Sequence, residues 1–298
     1  MQIYSSRKLI YGLLIFFLGV MGILLITGNK AASADTQAIH AEWTYLLPGL
    51  ADASDPVIAD VNGDGKLDIV AATHNGHVVA VDRNGNLLWD RDISPYYGLS
   101  NNQQRILAAP AVADLDNNGM VEIVVATGTA DSTICYPGGV IVLKNNGEIS
   151  SGNWPFLTRD GSTLPANCPD GVYGTPAIDD MDGDGDKEII FGGFDKGLYI
   201  LNHDGTTVAG FPIDSALRYR FPAWQDLMGH LADTIWSSPA IADLDGDGTK
   251  EIIIGTDEGH FGDSYGGNGL GWYCPYPNTL GAEYCGGTLY AVNHDSQL

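Results

Sequence analysis

The chain has 298 residues and is strongly acidic, with 37 Asp and Glu against 14 Lys and Arg and a formal net charge of -23. A surface of this sign repels nucleic acid and anionic lipid headgroups, so neither is expected as a partner. Apolar residues make up 44% of the chain, which is enough for a hydrophobic core. Its 39 glycines, without a collagen-like period, indicate many turns between short strands.

The first residues have the pattern of an export signal. Arg7 and Lys8 precede an apolar run at residues 9–26, and small residues follow at positions 32–34. This order is typical of a secretory signal peptide, although the run is also close to the minimum length of a membrane span. Residues 1–34 are therefore predicted to be a signal peptide or an uncleaved anchor, with membrane contact only through residues 9–26. Residues 35–298 are predicted to be secreted or displayed at the cell surface.

An internal repeat occupies the exported part of the chain. Four segments align without gaps from Asp55, Ala109, Thr175 and Ser238. They read DPVIADVNGDGKLDIV, APAVADLDNNGMVEIV, TPAIDDMDGDGDKEII and SPAIADLDGDGTKEII. A repeat of this length indicates a supersecondary unit that stacks on its neighbours.

Each repeat predicts four antiparallel strands. An alternating apolar run is followed by an acidic loop, two further β-branched runs, an Asn-Gly or Asp-Gly turn and a last strand. The turn dipeptides predict two-residue hairpins with positive φ angles. Four-stranded units repeated in this way predict an all-β fold, a β-propeller with four visible blades in residues 35–298.

The number of blades in the complete ring stays open. Residues 41–46 resemble a fourth strand that has no third strand before it, so they could complete the last blade and close a four-bladed ring. The fourth repeat, however, stops at residues 293–296, where its last strand should begin. This ending equally fits a piece of a larger propeller.

The acidic loops have oxygen-bearing residues at every second position, with a glycine at position 6 in all four copies. Positions 1, 3, 5 and 9 offer side-chain oxygens, and position 7 offers its backbone carbonyl. The predicted ligands are Asp60, Asn62, Asp64, Lys66 and Asp68; Asp114, Asp116, Asn118, Met120 and Glu122; Asp180, Asp182, Asp184, Asp186 and Glu188; Asp243, Asp245, Asp247, Thr249 and Glu251.

This ligand set predicts about four structural Ca²⁺ ions. Calcium takes six to eight oxygens in a forgiving geometry, whereas Mg²⁺ prefers a strict octahedron and zinc prefers His or Cys. The alternative is a set of solvated acidic turns, since Asp and Gly favour turns without any metal. Loops three and four offer four carboxylates at the side-chain positions, against three and an Asn in loops one and two, so they should bind more tightly.

These segments resemble FG-GAP/VCBS repeats, the calcium-binding blades of integrin α-subunit propellers and of many bacterial surface proteins. The resemblance covers residues 55–298 and is carried by the D-x-[DN]-x-[DN]-G-x-x-[DE] core. Phe-Gly does not precede strand one, and Gly-Ala-Pro does not follow strand two, so the bacterial version is the closer one. The resemblance implies that the loop joins strands one and two and that its calcium is structural.

Four cysteines, Cys135, Cys168, Cys274 and Cys285, lie in the exported part. In an oxidising compartment they are expected to form two disulfides, with three possible connectivities. Nearness in sequence favours Cys135 with Cys168 and Cys274 with Cys285.

No catalytic motif is evident, so the chain is predicted to be a binding or adhesion module rather than an enzyme. A long insertion in the fourth repeat carries the candidate ligand-binding aromatics Tyr265, Trp272, Tyr273 and Tyr276. Rigid aromatic side chains make good contact surfaces, so an extracellular protein or a glycan is the expected partner. The alternative is the propeller portion of a secreted carbohydrate-active enzyme such as a polysaccharide lyase.

Overall fold

The structure is a computed structural model that describes residues 42–51, 54–129, 133–160, 167–195, 197–209, 211, 235–256 and 288–293. Within these ranges the chain is all-β apart from one 3₁₀ helix, Ser94–Tyr97. The strands are β1 Val57–Ala59, β2 Asp68–Ala72, β3 His77–Val81, β4 Leu87–Asp92, β5 Ala111–Ala113, β6 Glu122–Thr127, β7 Gly139–Lys144, β8 Phe156–Leu157, β9 Ala177–Asp179, β10 Glu188–Gly192, β11 Leu198–Leu201, β12 Ala240–Ala242, β13 Glu251–Thr256 and β14 Thr288–Asn293.

Each sequence repeat forms one antiparallel sheet. The strand orders are β1-β2-β3-β4, β5-β6-β7-β8, β9-β10-β11 and β12-β13-β14, so every strand pairs with its neighbour in sequence. In the third repeat, the predicted fourth strand is represented by a single bridge between Leu201 and Thr207. In the fourth repeat, the described residues end with the third strand. The predicted repeat unit is therefore confirmed, with four described strands in two of the sheets.

The four sheets pack face to face as blades of a β-propeller, which confirms the predicted fold. Their first strands contact one another in series, β1 with β5, β5 with β9, and β9 with β12. The middle strands β6, β7, β10 and β11 are buried along nearly their whole length, because both faces of these sheets meet a neighbour. Burial on both faces explains why these strands are continuous apolar runs in the sequence.

A tryptophan packs across the interface between the first and second blades, which is called a seam below. Trp89, on β4, lies against Gly147 in the β7–β8 turn, where a Cβ on the glycine would come within 2.7 Å of the indole ring. The indole N–H of Trp89 donates to the carbonyl oxygen of Asn145 at 2.8 Å. Arg91 donates from Nε to the carbonyl oxygen of Gly147 at 2.6 Å. The seam therefore combines an aromatic contact with two hydrogen bonds to one turn.

The turns that follow the third strands differ from the predicted two-residue hairpins. Gly85, Gly147 and Gly205 have φ of 77° to 82°, but Asn84 and Asn146 are not among the non-glycine residues of positive φ. In the first turn, Gly85 N–H donates to the carbonyl oxygen of Asp82, and Asp82 N–H donates to that of Asn86. Only the glycine takes the left-handed conformation, as in a three-residue loop that ends in a bulge.

The two ends of the propeller carry different connections. Successive strands of each sheet run in opposite directions. The first connection, which is the acidic loop, and the third connection, which is the turn after the third strand, therefore lie at the same end. The connections between β2 and β3, and between successive blades, lie at the other end. There Cys135, after β6, forms a disulfide with Cys168, before β9.

Several predicted features lie outside the described residues. They are the signal or anchor at 1–34, the pair Cys274 and Cys285, and the aromatic insertion with Tyr265, Trp272, Tyr273 and Tyr276. Within the described ranges, no helix has the length and apolar character needed to span a bilayer.

Replacing Gly147 by Ala should destabilise the seam more than the same change at Gly98. Both glycines have positive φ, 77° and 72°, so both variants carry a backbone strain of about 1–2 kcal/mol. Only at Gly147 does the added Cβ collide with Trp89, whereas nothing lies within 4 Å at Gly98. Overpacking of this kind adds about 1–3 kcal/mol. Urea unfolding in calcium would measure the difference, and equal losses of stability would contradict this account of the seam.

Candidate metal centre

In every acidic loop, the side chain at position 1 accepts at least one hydrogen bond from a backbone N–H further along the loop. In the first loop, Asp60 accepts hydrogen bonds from the backbone N–H of Asp64 at 3.1 Å and of Gly65 at 2.8 Å. In the second, Asp114 accepts from the corresponding Asn118 and Gly119 at 3.0 and 2.8 Å. The loops thus fold back on their own first residue, and the side chains at positions 3 and 5 are held at the rim.

The backbone of all four loops turns twice through the left-handed region. Position 4 has φ of 54° to 80° and position 6 has φ of 79° to 103°. Glycine adopts this region without strain, and asparagine tolerates it better than other residues do. The residues at position 4 are Gly63, Asn117, Gly183 and Gly246, and those at position 6 are Gly65, Gly119, Gly185 and Gly248.

The carboxylate at position 9 is buried in every loop, at the first residue of the second strand. Asp68, Glu122, Glu188 and Glu251 are 1%, 7%, 2% and 7% exposed. One carboxylate oxygen of each accepts a hydrogen bond from the backbone N–H at position 2, at 3.1, 2.9, 2.7 and 2.8 Å in turn. The loop is therefore tied across its width, and the second oxygen of the same carboxylate remains for a cation.

Carboxylates converge in loops two, three and four. The groups are Asp114, Asp116 and Glu122; Asp180, Asp182 and Glu188; Asp184, Asp186 and Glu188; and Asp243, Asp245 and Glu251. In each group one ligand atom per residue lies within 4.8 Å of the others. Such spacing places several oxygens around one point, which is the arrangement that a hard cation requires.

The first loop differs from the other three. Its position 7 is Lys66, whose Nζ lies 3.3 Å from Oδ2 of Asp64. The ammonium group neutralises part of the charge that a metal would meet there. Its five predicted residues are all present on the same curled backbone, with Asn62 accepting from Asp64 N–H at 2.9 Å.

Burial and neighbouring charge perturb the closing carboxylates. Burial, together with the charges of Asp182, Asp184 and Asp186, raises the pKa of Glu188 to about 7. Burial also raises the pKa of Glu122, beside Asp116 and Asp114. Such shifts are the signature of like charges that are brought together in a poorly solvated place. A cation at the loop would relieve this repulsion.

The donor set fits calcium. The side chains at positions 1, 3, 5 and 9 are carboxylates or asparagine amides, and histidine and cysteine do not occur within the loops. Calcium accepts such all-oxygen sets of irregular geometry. Where the residues hold calcium, the ion supplies positive charge at the point where the carboxylates converge. The closing carboxylate then links the metal to the start of the second strand.

Neighbouring acidic loops contact one another. Lys250, at position 8 of loop four, places Nζ 2.8 Å from Oδ1 of Asp179 and 3.1 Å from the carbonyl oxygen of Asp180. Lys187, at position 8 of loop three, donates its backbone N–H to the carbonyl oxygen of Leu115 in loop two at 2.8 Å. The loops therefore form a row in which each rests on the loop of the preceding blade.

The structure adds His203 and Lys250 to the residues around the loops. His203 follows β11, and its Nδ1 lies next to a carboxylate oxygen of Asp186. The sequence of the loops does not reveal this contact, because it depends on where the blade places the turn that carries His203. The sequence does contain a signal for Lys250, since a lysine directly precedes the glutamate at position 9 in both loop three and loop four.

The Glu188 carboxyl predicts a pH dependence of the metal-free protein. Its folded-state pKa is raised from 4.5 to about 7. Its contribution to stability is therefore complete below the unfolded pKa and is lost as pH rises through about 7. In chelator, the protein should unfold at a temperature about 2–4 °C lower at pH 8 than at pH 6, as expected for ~1 kcal/mol.

Glu188→Gln is the matched variant, because its amide oxygen still accepts the Met181 N–H bond. Thermal unfolding followed by circular dichroism should show a smaller difference between pH 6 and pH 8 in this variant. A variant with the full wild-type difference would contradict the assignment to Glu188.

Lys250→Met separates the two effects of the lysine charge. Loss of the ion pair with Asp179 should lower the stability of the chelated protein by ~0.2–1 kcal/mol. Removing a positive charge next to loop three should raise its calcium affinity by about two- to fivefold. Lys66→Met is the control, since Lys66 contacts only loop one among the described loops. Calorimetric titration would detect the gain in the tighter sites, and weaker binding there would contradict the prediction.

The comparisons with known proteins agree with the repeat. The family described as FG-GAP-like repeat matches residues 60–125 and 180–254. No curated protein matches the chain.

Three solved structures are among those that are similar to this chain. The C-terminal domain of PilY1 from Pseudomonas aeruginosa is 18% identical, over 67% of this chain and 43% of that chain, with a TM-score of 0.43. BBS1N in complex with ARL6DN is 13% identical, over 68% and 50%, with a TM-score of 0.36. Quinohemoprotein alcohol dehydrogenase from Comamonas testosteroni is 14% identical, over 64% and 31%, with a TM-score of 0.42. The chain thus spans half or less of each of these structures.

Proposed function

Because the chain carries FG-GAP-like repeats, we propose that it is an exported, calcium-stabilised β-propeller that serves as a binding or adhesion module, secreted or at the cell surface. The calcium ions, about four in number, are structural in this proposal. They stabilise the blades and do not take part in a reaction.

One observation carries the calcium proposal. The closing carboxylate is buried in all four loops, and in three of them it converges with two other carboxylates within 4.8 Å. A buried carboxylate among like charges is unfavourable unless a cation or a proton compensates it. Solvated acidic turns would not need to bury the same carboxylate at the same position four times.

The placement of the loops supports a structural role. Each loop joins the first and second strands of one blade, β1 to β2, β5 to β6, β9 to β10 and β12 to β13. Its position 1 directly follows the inner strand, and its position 9 begins the next. A cation shared by these two positions would hold the inner hairpin of every blade closed.

Export and ligand binding rest on the sequence. The basic and apolar pattern of residues 1–34 supports export, and the described disulfide between Cys135 and Cys168 fits an oxidising compartment. The partner proposed is an extracellular protein or a glycan that contacts Tyr265, Trp272, Tyr273 and Tyr276. Aromatic side chains of this kind bind sugar faces and protein surfaces alike.

Calcium titration should resolve two classes of site, with loops three and four tighter than loops one and two. Asn118→Asp gives loop two the four carboxylates of loop four, so it should move one site into the tighter class. Asp247→Asn is the reciprocal change and should move one site out of it. Extracellular calcium modules bind with Kd of about 10⁻⁴ to 10⁻³ M, which isothermal calorimetry can measure. Four identical sites, or no response to either variant, would contradict the ranking.

Glycan-array binding with and without EDTA tests the binding role. The proposal predicts that the chain binds glycan or protein ligands in calcium and releases them in EDTA. The Trp272→Ala variant should bind more weakly while its unfolding temperature stays unchanged. An assay for unsaturated sugar products on the same preparations tests the enzyme alternative, since a polysaccharide lyase would form them. Turnover would overturn the proposal of a non-catalytic module.

A further inference from the structure

An open cleft lies at the end of the propeller opposite the acidic loops. Its volume is about 290 Å³, and it is lined by Gly49, Leu50, His74, Asn75 and Arg105. His74 and Asn75 belong to the connection between β2 and β3, and Arg105 belongs to the connection between the first and second blades. The cleft is therefore built by two neighbouring blades.

Arg105 stands at a position where the repeat uses only the backbone. In the first three blades, the sixth residue after position 9 of the acidic loop donates its backbone N–H to the carbonyl oxygen at this position. The accepting residues are Leu50, Arg105 and Gly171, at 2.7, 2.9 and 3.0 Å. A leucine or a glycine thus serves the blade equally well, so the repeat does not require the charge of Arg105.

The guanidinium group of Arg105 is held in a fixed position. It stacks on the Tyr136 ring, with Cζ 4.4 Å from the ring centroid. Nη1 donates to the carbonyl oxygen of His74, and Nη2 donates to the Tyr136 hydroxyl, both at 3.2 Å. Tyr136 follows Cys135, which the disulfide to Cys168 ties to the next connection. An arginine fixed in this way loses little freedom when it binds a ligand.

The positive charge of Arg105 is not neutralised by the described part of the chain. Its guanidinium group donates to a carbonyl oxygen and a hydroxyl oxygen, and no ion pair joins it to a carboxylate of a described residue. Arg159, which lies at the same end, places Nε 3.1 Å from Oδ2 of the buried Asp195. The two arginines thus differ: Arg159 has an anionic partner within the fold, whereas Arg105 presents its charge at the cleft.

The remaining lining residues are closely packed around one amide. Asn75 accepts a hydrogen bond at Oδ1 from Thr73 Oγ1 at 2.7 Å and donates from Nδ2 to the carbonyl oxygen of Pro48 at 3.3 Å. A Cβ on Gly49 would come within 1.9 Å of Asn75 Oδ1, so only glycine fits there. Leu50 is 68% exposed. The cleft therefore combines a fixed cation, an amide and one exposed apolar side chain.

This combination favours a ligand with one negative charge and about the size of one sugar ring. A guanidinium group binds a carboxylate through two parallel hydrogen bonds. One positive charge balances a carboxylate more closely than it balances a doubly charged phosphate ester. The volume is close to the lower limit of small-molecule sites, about 300 Å³. Leu50 offers an apolar contact for the C–H face of a pyranose.

We propose that this cleft binds the carboxylate of a uronic acid residue in an acidic glycan, with Arg105 as the group that recognises the charge. The inference rests on the proposed role of the chain as a binding module. It uses none of the aromatic residues that are proposed above as ligand contacts.

The acidic loops lie too far from the cleft to repel such a ligand strongly. Strands β2 and β3 have five residues each and run between the two ends of the first blade. Five residues of a strand span about 17 Å. This length is about twice the screening length of about 8 Å at physiological ionic strength. Calcium bound at the loops would weaken their repulsion further.

Titration of the full wild-type chain in calcium, followed by NMR, tests the charge requirement. The probes are the methyl glycosides of glucuronate and galacturonate, and at least one should bind. Its methyl ester has the same ring without the charge, so it should bind at least about tenfold more weakly. Equal binding of acid and ester, or no binding of either acid, would overturn the inference. Binding of N-acetyl-glutamate amide in place of the uronates would assign the cleft to an acidic peptide and would also overturn it.

Variants of two arginines test the assignment to the cleft. Arg105→Gln should weaken uronate binding by about ten- to hundredfold, and Arg105→Lys, which keeps the charge but loses the planar fork, should lie between this variant and the wild type. Arg83→Gln is the matched control, because Arg83 is exposed in the turn after β3, at the end of the acidic loops. It removes the same charge and should bind as the wild type does.

Circular dichroism identifies the variants that remain folded, and the comparison of acid with ester does not depend on them. Wild-type affinity in folded Arg105→Gln, or an equal loss in Arg83→Gln, would overturn the inference. The glycan array separates this result from the proposed function. A chain that retains neutral glycans in calcium but binds no uronate keeps its role as a binding module and overturns only the site at Arg105.

Discussion

The structure depends on how four clusters of like charge are held at one end of a small β-propeller. Each acidic loop buries a carboxylate where the first hairpin of its blade begins, and in loops two, three and four other carboxylates converge on it. Water solvates the outer side chains of the loop, but it does not reach the buried group to the same extent. Without metal, the pKa of Glu188 is therefore raised to about 7, so its carboxyl group is partly protonated at neutral pH. Divalent cations bound at the loops would relieve this local repulsion and offset part of the net charge of -23.

The acidic loops contribute to the packing between blades and are also the candidate metal sites. The carboxylate at position 9 belongs to the first residue of the second strand, so its position is fixed by the ladder that continues into the core. Position 8 reaches the preceding loop, through the Lys250 side chain in loop four and through the Lys187 backbone in loop three. Tryptophans at the seams join adjacent blades at the same end. Stability at the seams and charge compensation in the loops are thus expected to change together.

The sequence predicted the structural features that lie within each repeat. The spacing of Asp, Asn and Gly predicted the position of each loop between two strands, and the left-handed backbone at positions 4 and 6 follows from residue types alone. The sequence did not predict contacts between repeats, since these depend on how one blade sits against the next. Residues 41–46 resemble a fourth strand in the sequence, but only the structure shows that Trp43 contacts Gly85 as Trp89 contacts Gly147. The turns at Gly85 and Gly147 also differ from the predicted hairpins, because only the glycine of each Asn-Gly dipeptide takes the left-handed conformation.

The central claim is that bound cations stabilise the inner hairpin of every blade. Its most direct test is thermal unfolding of the purified chain with its metal content determined before and after chelation. The account predicts about four calcium ions per chain and an unfolding temperature that falls by more than about 10 °C on chelation, as expected when several sites of millimolar or better affinity are emptied. Calcium should restore the temperature, and magnesium should do so poorly. A chain that binds no metal and unfolds at the same temperature in chelator would contradict it.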